Sequence, residues 1–137
     1  MDMPGTETSP LIYLVVHMAR SGSDDTYLLR LFLQAGAEVN YRDHEGDSVL
    51  HHAVGTQLFE EAVCMLVRFG AEINYKNHAG QTPLHYTVEY APWLVPCLIQ
   101  CGADPLIADN KGKIPFDLYT GDDESIAILL SAKKPNQ

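Results

Sequence analysis

Three triplets of glycine, alanine and an acid, Gly36-Ala37-Glu38, Gly70-Ala71-Glu72 and Gly102-Ala103-Asp104, stand 34 and 32 residues apart, and a second series of glycines, Gly46, Gly80 and Gly112, keeps the same two intervals. A chain ruled in this way is built from units of one design. A unit of that length cannot bury an apolar face by itself, so successive units must stack and share a continuous core. In the sharpest unit, Thr82 to Tyr90 is expected to form a first helix and Pro92 to Cys101 a second, ended by Gly102. Proline suits a first helical position, where its missing N–H would have no acceptor, and glycine closes a helix by taking the left-handed conformation. Pro96 falls inside the second helix, where the lost hydrogen bond is expected to kink the helix or delay its start.

The run Gln81-Thr82-Pro83-Leu84-His85, preceded by Gly80 and followed by Gly102, resembles the signature of an ankyrin repeat. The preceding unit reads Ser48-Val49-Leu50-His51-His52-Ala53-Val54, with a second helix expected over Phe59 to Phe69. Serine there retains the hydroxyl that can cap a helix by accepting from a backbone N–H. Upstream, Ser9-Pro10-Leu11-Ile12 takes the signature position and Tyr27 to Ala35 the second helix. The 27 residues from Ser9 to Gly36 include a surplus at Arg20 to Asp25, so a longer first helix and a longer polar loop are expected. Downstream, Ile114-Pro115-Phe116-Asp117 and Glu124 to Ala132 form a drifted terminal unit. The resemblance implies an all-α solenoid of about four ankyrin repeats, near residues 9–42, 43–76, 77–108 and 109–132, in which helix-turn-helix pairs are linked by β-hairpin loops. Tails at 1–8 and 133–137 are expected to be mobile, with softer places at Ser21 to Asp25 and at Pro96.

Composition narrows the function classes. A chain of 137 residues with 46% hydrophobic and 20% charged residues fits one folded domain. Its longest apolar run, Leu11 to Val16, is too short to span a bilayer, and no basic, apolar and small-residue segments follow one another at the N-terminus in the manner of a leader. Cys64, Cys97 and Cys101 form no C-x-x-C pair, which points to buried thiols and a cytosolic or nuclear location. The net charge of −9 disfavours nucleic acid and anionic membrane and favours a basic protein surface as partner.

No nucleophile elbow, phosphate-cradling loop or H-E-x-x-H is present, so an enzyme is not expected, and neither is a cofactor. Consecutive His51 and His52 diverge by about 100° on a helix, and no acid or cysteine stands at ligand spacing beside them. Cys97 and Cys101 share a helical face but offer two ligands against the usual three or four, which favours core packing. Asp24-Asp25 and Asp122-Asp123 read as solvated loop acids. By the resemblance, His51 and His85 hydrogen-bond to the backbone of a neighbouring hairpin.

The segments Val39 to Gly46 and Ile73 to Gly80 are near copies, each with Asn, Tyr, a cation and His at matching places. The resemblance implies that Tyr41, Arg42, His44, Glu45, Asp47, Tyr75, Lys76, His78 and Gln81 lie on the hairpins or face the groove. His52, Tyr86, Glu89 and Tyr90 would line the inner helices. Tyr and Arg have the character of interface anchors, although the repeat itself can also fix Tyr41 and Tyr75. Asn40 and Asn74, each eight residues after an apolar residue (Phe32 and Leu66), resemble asparagines of ankyrin repeats that a cytosolic hydroxylase modifies in animals. The implied function is a monomeric, non-catalytic protein-binding module. Small inhibitors that clamp a kinase or mask a basic surface of a transcription factor are one such class. A module of a larger scaffold or of a ubiquitin-ligase recruiting subunit is an alternative, as is a reader of a modified peptide through the aromatic wall of Tyr86, Tyr90 and Trp93.

Overall fold

The computed structural model describes residues 10–21, 26–55 and 60–131. The signature residue Ser9, the polar loop at 22–25, Phe59 as a helix start, Ala132 and both tails lie outside the described residues. Four helix pairs follow one another: α1 (Pro10–Ser21) with α2 (Thr26–Gln34), α3 (Val49–Gly55) with α4 (Glu60–Arg68), α5 (Pro83–Tyr90) with α6 (Val95–Gln100), and α7 (Pro115–Leu118) with α8 (Glu124–Leu130). The first helices α1, α3, α5 and α7 stack in one layer, while α2 rests on α4 and α6 on α8 in the other.

The stack is held by apolar residues that recur unit by unit. Leu11, Val15, Leu50, Val54, Leu84 and Val88 from the first layer meet Leu29, Leu33, Leu66, Leu94, Leu98 and Leu130 from the second in one continuous core. Each side chain of this size stabilises the fold by about 1.5–3 kcal/mol when fully buried. No unit could gather such a set alone.

The helix starts are more specific than a hydroxyl cap. Thr82 is extended (φ −89°, ψ 168°) and Pro83 opens α5. Its backbone N–H donates to Nδ1 of His85 at 3.0 Å, and its hydroxyl lies 3.0 Å from the same nitrogen. Ser48 and His51 repeat the arrangement at 3.1 and 3.0 Å. The imidazole thus reaches back to the cap, as a glutamate does in a capping box. In the terminal unit Asp117 takes over this role, its Oδ2 accepting from the N–H of Ile114 at 3.0 Å. Asp123, an exposed loop acid as expected, also caps α8 by accepting from Ser125 and Ile126 N–H groups.

Pro96 delays its helix. The chain first makes a 3-10 turn at Pro92–Leu94, and α6 then begins at Val95, which leaves Pro96 in the first turn, where no N–H is missed.

The linkers follow a hairpin path, but no strand is formed among the described residues, which corrects the expected β-hairpins. Each tip is a tight loop closed by two backbone bonds. In the first, Asp43 N–H donates to Asp47 O and Gly46 N–H to Asp43 O. The second repeats this with Asn77, Gln81 and Gly80, and the third with Asp109, Lys113 and Gly112. Adjacent tips are tied sideways by His78 N–H to Glu45 O at 3.1 Å and Asn110 N–H to Ala79 O at 3.0 Å.

That close approach separates two kinds of glycine. Gly70 (φ +98°) has open space where a Cβ would be, whereas a Cβ on Gly80 (φ +78°) would meet the backbone nitrogen of Asn110 at 2.7 Å. Gly70→Ala is therefore expected to cost about 1 kcal/mol, from left-handed backbone strain alone. Gly80→Ala is expected to cost about 3 kcal/mol, because overpacking against the next tip adds to the strain. Equal shifts in denaturant midpoint for the two variants would show that the tips do not depend on this approach.

Candidate functional site

Each tip is shaped from within by one oxygen-bearing side chain. Asp43 Oδ1 accepts from the N–H groups of Glu45 and Asp47, both at 3.0 Å. Asn77 Oδ1 does the same for Ala79 and Gln81, and Asp109 Oδ1 for Lys111 and Lys113. For Asp43, burial acts to raise its carboxyl, but bonds from His52 and from the backbone of Asp47 and Glu45 outweigh it and hold the group below the usual carboxylate range. These three residues were not among the expected site residues. Their signal was visible, since each stands three residues before the glycine of its tip.

Asn40 and Asn74 tie the base of one tip to the next unit with both ends of the amide. Asn40 Nδ2 donates to Gly70 O at 3.1 Å and its Oδ1 accepts from Glu72 N–H at 2.9 Å. Asn74 makes the equivalent pair with Gly102 O and Asp104 N–H. Both side chains therefore serve the stack.

On the outer side of the tips, Arg42, His44, Glu45, Lys76 and His78 are exposed. Arg42 is positioned by its neighbour: its guanidinium carbon lies 4.7 Å from the Tyr75 ring centroid, and Nη1 donates to Lys76 O at 3.3 Å. Tyr75 is half-buried under that cation, and Tyr41 is half-buried against the core.

On the inner side one expectation is corrected. Asp47 does not project into the groove but is buried at 6% exposure, where Oδ1 accepts from Asn77 Nδ2 at 2.8 Å and from the Tyr86 hydroxyl at 3.1 Å. A carboxylate removed from water must be hydrogen-bonded, and these two donors supply that. Tyr86 is half-buried, and burial together with the Asp47 charge pushes its phenol well above the usual range, so the hydroxyl stays a donor. Its ring meets His51 edge-on at 5.1 Å and Tyr90 edge-on at 6.0 Å. His52 is half-buried and its Nε2 lies 2.8 Å from Asp43 Oδ2. Tyr90 and Trp93 remain exposed at 48% and 56%.

A cleft of about 600 Å³ lies between the second and third tips and the first-layer helices. It gathers Gln81 and Glu89 from the expected set and adds Asp109, Asn110, Lys111 and Lys113. Gln81 Nε2 donates to Asp109 Oδ2 at 3.4 Å across its floor. Four of the nine basic residues of the chain, Arg42, Lys76, Lys111 and Lys113, thus stand on the tips. Apart from Glu45 on the first tip and Glu89 in the cleft, the exposed acids are placed elsewhere, at Glu38, Glu60, Glu61, Glu72, Asp117, Asp122, Asp123 and Glu124.

The expected histidine contacts are present. His51 Nε2 bonds to Gln81 O at 2.8 Å and His85 Nε2 to Lys113 O at 2.9 Å. Because Nδ1 of each ring accepts from a backbone N–H, the proton must sit on Nε2, which donates forward to the next tip. Both rings are wholly buried. Among the described residues no buried side-chain nitrogen or oxygen lacks a hydrogen-bond partner.

Two groups have the proximity of metal ligands, and both correct the ligand counting made on single helices. Asp43, Asp47 and His52 place their ligand atoms within 4.8 Å of one another, the acids coming from the tip rather than from the helix of His52. Their oxygens are already engaged by the backbone, His52, Asn77 and Tyr86, so this group shapes the tip. Cys64, Cys97 and Cys101 likewise lie within 4.8 Å, with Cys64 contributed by the preceding unit. Of these thiols only Cys97 is buried, while Cys64 and Cys101 are half-exposed, which corrects the expectation of three buried thiols.

Among the described residues no helix is long and apolar enough to cross a membrane. The family described as ankyrin repeats, in three copies, matches residues 15–113. Among solved structures the chain is similar to the ankyrin repeat domain of Bcl-3, a unique member of the IkappaB protein family, with a TM-score of 0.70 and 23% sequence identity. The match covers 86% of this chain and 50% of that one, so the chain spans half the length of that structure. At this identity the likeness concerns the fold. No curated protein matches the sequence.

Buried His51 makes stability depend on pH. Burial holds His51 below its ordinary value, so between the folded and unfolded values the unfolded chain binds the extra proton. Its contribution is complete above the unfolded value of about 6.5 and is lost as pH falls below it. Stability is expected to decline between pH 7.5 and pH 5, before Asp43 is protonated, since it titrates below its usual range. Urea midpoints across that window provide the check, and a flat profile would contradict the buried neutral imidazole.

Proposed function

The chain belongs to the ankyrin repeat family, a family of protein-interaction scaffolds, and from this we propose that it is a non-catalytic module that holds a protein partner on its tips and in the adjoining cleft. The observation that carries this reading is the row formed by Arg42, His44, Lys76 and His78, exposed on two tips that are bonded to each other through the backbone. Long charged side chains on independent loops would lose much freedom on binding. Here the loops are closed internally, tied to their neighbours and fixed to the stack by Asn40 and Asn74, so less order must be created when a partner docks. Arg42 is further oriented by Tyr75. The cleft next to the row adds Gln81, Glu89, Lys111 and Lys113 as polar contacts.

The finer role is inhibition by masking a basic surface, as on a transcription factor or a kinase. The net charge of −9 favours it, with Glu45 on the first tip and Glu89 in the cleft and most other exposed acids lying off the tips. In this arrangement the acidic field steers a basic partner towards the module, and the mixed charges of the tips set its register. Three free thiols suit a reducing compartment, cytosol or nucleus.

Affinity purification with the native chain, beside a variant carrying Arg42→Glu, Lys76→Glu and His78→Ala, is expected to retain proteins that the variant loses. All three side chains are exposed, so the variant should fold, with about 1 kcal/mol lost from the Arg42–Tyr75 contact. Identical retained sets would remove the tips as the interface. For the retained partner, association is expected to slow as ionic strength rises from about 0.01 to about 0.15 M. An association rate that does not respond to salt would exclude the basic-surface reading while leaving the tips in place.

A further inference from the structure

Cys64 and Cys97 are 33 residues apart, on the second helices of successive units, and Cys101 follows Cys97 by one helical turn. Stacking of the units therefore turns three cysteines from two helices into one cluster. Their sulfurs all lie within 4.8 Å of one another, and Cys64 Sγ is 3.1 Å from Cys97 Sγ. We propose that Cys64, Cys97 and Cys101 form a binding site for a thiophilic metal ion, zinc being the representative of the class.

The spacing fits. Three sulfurs placed around zinc at about 2.3 Å would lie about 4 Å from each other. One pair in the cluster is closer than this and no pair is farther than 4.8 Å, so small rotations of the cysteine side chains bring the three to that distance. Thiolate ligands select zinc and copper(I) over magnesium or calcium. Access also fits: Cys97 is buried at the base, while Cys64 and Cys101 are half-exposed and leave the outer position open to solvent. Glu60, exposed at the start of α4, stands one helical turn before Cys64. On binding a divalent ion the three S–H groups release their protons to solvent and three metal–sulfur bonds form, with no change of oxidation state.

The test uses the full chain, reduced with a phosphine that does not bind metal and freed of metal by chelation. Titration with Co²⁺ should produce a thiolate-to-cobalt charge-transfer band that saturates at one ion per chain and disappears when equimolar Zn²⁺ displaces the cobalt. Cys64→Ser and Cys101→Ser, checked for folding by circular dichroism, should each weaken binding by more than about 100-fold, beyond the loss typical of an outer-shell partner. Absence of the band overturns the proposal, and so does undiminished binding by folded Cys64→Ser protein. Recovery of a Cys64–Cys97 disulfide from chains alkylated at lysis would also overturn it, since oxidation removes two of the three ligands.

Discussion

The buried imidazole at the fourth place of each signature is the contact on which the stack depends. His51 and His85 each perform two tasks with two nitrogens: Nδ1 fixes the start of its own helix, and the Nε2 proton reaches the backbone of the next tip. A single side chain thereby sets the angle at which a helix begins and the distance to the following unit. The ring must be neutral for this, because a second proton on Nδ1 would face an N–H group with no acceptor between them. Hydrophobic burial supplies most of the stabilisation, but it is non-directional, and it is the imidazole that makes one offset between units preferable to its neighbours.

The tips show how a repeated backbone carries unrepeated surface. The oxygen at Asp43, Asn77 and Asp109 draws the same loop three times. Beyond that oxygen the units diverge: His52 meets Asp43 where Tyr86 meets Asn77, each pair nine residues apart. Residues that bond inward keep the loop, and residues one place away are free to differ. Arg42, Lys76 and Ala108 occupy one such place, and His44, His78 and Asn110 another.

What could be read from the chain beforehand was whatever is periodic or local. The glycine intervals gave the units, the Thr-Pro-Leu-His run gave the helix starts, and a proline inside a helix window announced the delayed start at Val95. What escaped depends on contacts between residues about thirty apart, whose relative offset no single unit contains. The family pattern put Asp47 on the hairpin or in the groove, yet Asn77 and Tyr86 from the next unit bond to it in a buried position. Cys64 and Cys97 form no local sequence pair, and only the stacking of their units brings the sulfurs together. The hairpins were read as strands from the family pattern, whereas these tips close with too few backbone bonds to form a ladder among the described residues.

The forward reach of each histidine gives the array a direction. Remove a unit from the front, and the tip it met loses only a donor to its carbonyl oxygen, which water can replace at a newly exposed face. Remove a unit from the back, and a buried Nε2–H is stranded without an acceptor, a far costlier orphan. Asp117 is the counterpart of this asymmetry: it caps its own helix through Ile114 and extends no donor onward. Trimming from the two ends is therefore not equivalent, and a shorter array with a sound terminus would need its last histidine exchanged for an acid.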